Sequence, residues 1–135
     1  MTFIFILLLA VDLASIKATP DLEKRSDLAL THAEQDVDAA RDAYKAGDLK
    51  KMLALMEDLR ESVTLAGDSL EEAPRRARNS KYYKRAELKT RALARRLNTL
   101  GDEVSVDDRK AIDEVRQKVM DVHDHLLEDI MGNKK

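Results

Sequence analysis

LKKMLALMEDLRESVTLAGDSL, residues 49–70, is the stretch that decides the fold. Its apolar residues fall at Leu49, Met52, Met56, Leu59, Val63, Ala66 and Leu70, in alternating steps of three and four. That spacing winds onto one face of an α-helix, because about 3.6 residues complete a turn. Lys, Asp, Glu, Arg and Ser fill most of the other positions, so the opposite face is solvated. Leu53 and Leu55 widen the stripe beyond what a two-stranded coil needs, and a wide stripe calls for several partner helices. Met52 and Met56 sit in the seam, where thioethers read as adaptable core rather than as a copper site.

Outward from this spine, three further segments carry seams of the same kind. Leu30, Ala33, Val37, Ala40 and Tyr44 predict a helix over about 20–46, with Thr19 as N-cap and Pro20 in its first position. Gly47 is placed as its stop, and Asp48 caps the spine helix of about 49–73, which Pro74 ends. Gly67 inside it costs about 1 kcal/mol relative to Ala and marks an expected weak point. Ser80 caps a third helix of about 81–100, with Tyr83, Ala86, Thr90, Leu93, Leu97 and Leu100 inward and Gly101 as its end. Ser105 to Asp108 form a variant capping box. It opens a fourth helix of about 106–131 that carries Ile112, Val115, Val119, Val122, Leu126 and Ile130. Short connections make sequential helices antiparallel neighbours. The expected fold is all-α, an antiparallel up-down-up-down four-helix bundle over residues 19–135, monomeric or dimerising weakly through residual apolar surface.

Residues 1–18 stand apart. FIFILLLAV, residues 3–11, is apolar without helical polarity and too short for a bilayer, which takes about 20 residues. It suits the core of a signal peptide, with cleavage patterns at Leu13-Ala14-Ser15 or Ile16-Lys17-Ala18. The expectation is a periplasmic or secreted protein; a retained N-terminal membrane anchor and a cytoplasmic chain are the alternatives.

Composition excludes more than it assigns. Charged residues make up 37% of the chain and aromatic residues 4%, which fits long amphipathic helices. The absence of Cys removes disulfides, thiolate metal sites, cysteine nucleophiles and covalent haem attachment. No Gly-rich phosphate loop, Gly-x-Ser-x-Gly turn or compact Ser/His/Asp set is present, so no enzyme activity is expected.

Three stretches carry resemblances. DAYKAGDLKKML resembles the turn of a tetratricopeptide repeat, although the recurrence near 34 residues which that motif needs is missing. In outline the four helices resemble the periplasmic b562-type cytochromes, which implies export and haem held by an early Met and a late His. The first helix has no Met, so that ligand pattern is not matched. RAELKTRALARRL, DDRKAIDEVRQKV and VHDHLLEDIMGNKK are similar to the ends of small exported bacterial all-helical proteins of unknown function, a resemblance that implies no activity.

Two constellations bear on binding. Asp121, His123 and His125 are the candidate metal ligands, but two residues apart the histidines diverge on a helix. His32 could be a third ligand, yet its heptad position faces solvent. The chain is therefore expected to bind neither haem nor a transition metal. The second constellation is a run of cations. Arg75, Arg76, Arg78, Lys81, Lys84, Arg85, Lys89, Arg91, Arg95 and Arg96 face only Glu87, a local charge of +9 in a chain whose total is -2. Lys89 and Arg96 edge the seam and can pair with acidic neighbours. Lys81, Lys84, Leu88, Arg91 and Arg95 form an outward stripe with Tyr82 beside it. An exported, non-catalytic binding or scaffolding bundle follows, whose partner is an acidic surface: anionic lipid headgroups, a cell-wall polyanion or an acidic protein. An intracellular nucleic-acid binder that stacks bases on Tyr82 and Tyr83, and a haem or metal carrier, are the alternatives.

Overall fold

Apolar side chains spaced by three and four turn inward together on long helices. The computed structural model describes residues 13–74, 77 and 80–132, and among these there is no strand. The elements are α1 (Leu13–Lys17), α2 (Leu22–Lys45), α3 (Leu49–Glu72), α4 (Lys81–Glu103) and α5 (Val106–Gly132). Met52, Met56, Leu59, Val63, Ala66 and Leu70 of α3 are all buried, and so are Leu30, Val37, Leu93, Leu97, Ile112 and Val119 on the other long helices. Leu53, which was expected to widen the seam, is 41% exposed instead.

Local chemistry sets the ends. α2 opens on Asp21 rather than Thr19, because the Asp21 carboxylate accepts the amides of Glu23 and Lys24 at 3.1 and 3.2 Å. Thr19 is held in the turn leaving α1, its amide donating to the Ile16 carbonyl. Gly47 takes a φ of 78° and closes α2. Its amide donates to the Tyr44 carbonyl, and that of Asp48 to Ala43. Asp48 immediately caps α3 by accepting the Lys51 amide at 3.0 Å. Gly101 does not end α4, which runs on to Glu103. Its backbone stays right-handed, so it makes no stop, and the Arg109 side chain lies over it. At the start of α5 the expected capping box does not form: the Asp108 amide bonds the Ser105 carbonyl, and the Ser105 hydroxyl donates to Asp108 Oδ2 at 2.8 Å. Asp108 carries one methylene fewer than the usual Glu, and the Tyr44 hydroxyl spans the gap. It accepts from the Ser105 amide at 2.9 Å and donates to Asp108 at 3.2 Å.

Two antiparallel hairpins result. In the first, Ser26 of α2 donates to the Ala66 carbonyl of α3 at 2.9 Å, and His32 meets Asp58, so numbers rise on one helix as they fall on the other. Buried Ala29, Ala33, Ala40 and Ala43 let α3 approach closely. In the second, Glu87 of α4 meets His123 of α5, and Asp102 meets Arg109.

The hairpins then pack in parallel, α2 on α4 and α3 on α5. Asp27 meets Arg85 and Asp38 meets Arg96, while Glu71 meets His125, with numbers rising together. α3 and α4, expected as neighbours, scarcely touch. Between them Ala77 is buried, and Tyr83 donates to the Leu70 carbonyl at 3.1 Å. At Gly67 a Cβ would lie 3.1 Å from Val122, so its missing side chain lets α3 and α5 close together.

α1 also joins the core. Leu13 and Ile16 are 7% and 3% exposed and belong to the same apolar cluster as the long helices. Residues 1–12 of the expected leader lie outside the described residues. Among the described residues no helix is long and apolar enough to cross a membrane.

Candidate functional site

The cationic run divides in two once α4 is packed. Its inner flank is consumed by α2: Arg85 bonds Asp27 at 3.1 Å, Lys89 bonds Asp27 and Thr31 at 3.1 and 2.9 Å, and Arg96 pairs with Asp38. Arg91, on the outer stripe, is tied to Glu87 of its own helix at 2.6 Å. Lys81, Lys84 and Arg95 remain exposed without an acidic partner among the described residues, and Leu88 stands between them at 57% exposure. Tyr82 is half-buried, with the Lys81 ammonium 5.3 Å and the Arg85 guanidinium 5.5 Å from its ring centre. Tyr83, the other residue expected to stack on bases, is 1% exposed and therefore core. Arg75, Arg76 and Arg78 lie outside the described residues.

The sequence-expected metal residues separate. His123 turns to Glu87 of α4 at 2.8 Å and His125 to Glu71 of α3 at 2.6 Å, while Asp121 accepts from Gln117. Burial alone would raise Glu87, but hydrogen bonds from His123 and Arg91 outweigh it and hold the carboxyl below its ordinary range. The Glu71 hydrogen bond raises His125 above the ordinary histidine value, against an opposing effect of burial. Glu71, His125 and Asp129 can bring one donor atom each within 4.8 Å of one another, on an open surface.

A tighter cluster lies elsewhere. His32 does not face solvent: its side chain is 16% exposed, and Nε2 sits 2.6 Å from Asp58 Oδ2 and 3.8 Å from Asp36 Oδ2. Asp36, one turn beyond His32 on α2, is buried among the alanines that face α3, and its Oδ2 has no hydrogen-bond partner. Burial pushes Asp36 up to about 9, helped by the neighbouring Asp58 carboxylate. Sequence reasoning placed His32 outside and passed over Asp36. The available signal was a carboxylate inside the seam Ala29, Ala33, Asp36, Ala40, Ala43, whose steps of four and three otherwise hold only alanine. Compared with protein-family models, curated proteins and solved structures, the chain matches none of them.

Proposed function

We propose that this chain is an exported, non-catalytic binding module that docks on anionic lipid headgroups through the outer face of α4. The four long helices form an up-down-up-down four-helix bundle, with α3 and α4 on a diagonal, and present that face to the membrane. The observation that carries this reading is the alignment of Lys81, Lys84 and Arg95 with exposed Leu88 along one side of α4, free of acidic partners among the described residues. Each cation near an acidic lipid surface contributes about 1 kcal/mol, and the attraction fades within a Debye length of roughly 8–10 Å. A single leucine adds a little apolar insertion without anchoring. A flat surface suits three cations in a row better than a nucleic acid does, because Tyr82 already holds two cations and Tyr83 is core.

The N-terminal segment is retained as an anchor rather than cleaved. Burial of Leu13 and Ile16 supports this, since a cut after Ser15 or Ala18 would remove one or both from the core. The test is co-sedimentation of the full chain with anionic and with neutral vesicles, at low and at physiological salt. The apolar N-terminal run binds both kinds alike, so the difference between them reports the α4 face. The expected preference for anionic vesicles is on the order of 10²-fold at low salt, about 3 kcal/mol from three cations, and falls as salt rises. Reversing Lys81, Lys84 and Arg95 to Glu abolishes that preference. An equal affinity for both vesicles, or a preference that survives the reversals, refutes the assignment; binding of the face to duplex or single-stranded DNA instead would move it to the nucleic-acid class.

A further inference from the structure

We propose that His32, Asp36 and Asp58 form a divalent transition-metal site between α2 and α3, with one imidazole nitrogen and two carboxylate oxygens as ligands. Asp36 is what points to a ligand. Its side chain is 7% exposed, and the oxygen without a hydrogen-bond donor, Oδ2, is the one turned toward His32. A buried carboxylate beside a second carboxylate is strongly unfavourable unless a positive group or a proton compensates it. A divalent cation supplies that charge and cancels both carboxylates at once.

The geometry is within reach of such an ion. One donor atom from each residue lies within 4.8 Å of the others. Bonds of about 2.0–2.2 Å hold neighbouring ligands roughly 3–3.5 Å apart. The 2.6 Å contact between His32 and Asp58 would open and the 3.8 Å separation of His32 from Asp36 would close. Each shift is under about 1 Å, a small side-chain rotation on that bond geometry. The mixed nitrogen and oxygen set suits Zn²⁺, Mn²⁺ or Fe²⁺, whereas Ca²⁺ gathers six to eight oxygens. Asp58, at 35% exposure, gives the ion an entry path and leaves room for water to complete its coordination. The Glu71, His125 and Asp129 cluster lacks this burial, for the side chains of His125 and Glu71 are 50% and 58% exposed. It serves as the control.

Calorimetric titration of the metal-stripped full chain with ZnCl₂ is expected to give one equivalent bound, with CaCl₂ at the same concentration giving none. Asp36→Asn and His32→Gln each weaken Zn²⁺ binding by more than about 100-fold, beyond the 10–100-fold that loss of an outer-shell partner costs. His125→Gln leaves binding unchanged. Circular dichroism establishes that each variant is helical. Independently of any variant, ¹⁵N NMR of the unaltered chain follows His32 Nε2, whose resonance shifts on adding Zn²⁺. The site is overturned by full-strength binding in Asp36→Asn, by loss of binding in His125→Gln, by absence of binding in the unaltered chain, or by a His32 Nε2 signal that does not move.

Discussion

Glu87 shows how much one residue's surroundings decide. It is the lone acid in the cationic run, yet it joins Arg91 of its own helix to His123 of α5, and both bonds hold its carboxyl low. A carboxyl lowered in the folded state contributes stability that is present above its ordinary value of 4.5 and lost as pH falls through the folded value. The Gln variant should therefore melt below the unaltered chain at neutral pH and approach it as pH drops below 4.5. Melting curves that stay parallel through the acid range would deny the linkage. Arg91, four residues on along the same helix, was within reach of a sequence reading; His123 was not. A heptad position gives the angle of a side chain on its own helix but not what reaches it from the next. His32 was misread for that reason: its angle is outward on α2, and Asp58 comes across from α3 to cover it.

The elements themselves were far more legible, since seams, caps and stops are local chemistry. The boundaries that moved did so where one local signal outranked another, as when the Asp21 carboxylate capped α2 in place of the Thr19 hydroxyl. Gly47 is the sharpest element-level case, because its φ of 78° is the left-handed conformation that both closing hydrogen bonds of α2 require. A Cβ there meets nothing within 4 Å, so any penalty for a side chain is backbone strain alone. Gly47→Ala should cost about 1–2 kcal/mol in urea unfolding. No change in the midpoint would mean the first hairpin tolerates another turn. Gly101 offers the contrast, a glycine near a helix end that remains right-handed and ends nothing.

At the scale of the whole molecule, the expectation that sequential helices are all neighbours failed between α3 and α4. Helix axes pack about 8–10 Å apart, so the diagonal of a square of four is roughly 11–14 Å. Residues 73–80 can reach that far as easily as they can reach an adjacent helix, so length alone does not choose. The position of α1 was equally hidden, because its apolar residues adjoin a longer apolar run with another reading. A chain beginning at Thr19 should still fold, since every long seam lies after that point, but without Leu13 and Ile16 it should lose on the order of 2–5 kcal/mol. Urea midpoints compare the two chains, and identical values would leave α1 without a role in stability.

The parallel packing of the hairpins also has a consequence for assembly. Partners across the two differ by 58 in number between Asp27 and Arg85, by 58 between Asp38 and Arg96, and by 54 between Glu71 and His125. The helices that meet across the two hairpins therefore run parallel, and both hairpins turn their apolar seams into one shared core. That leaves the outer face of α4 to Lys81, Lys84, Arg91 and Arg95. A second copy stacked there would have to bury four like charges, so that face opposes self-association.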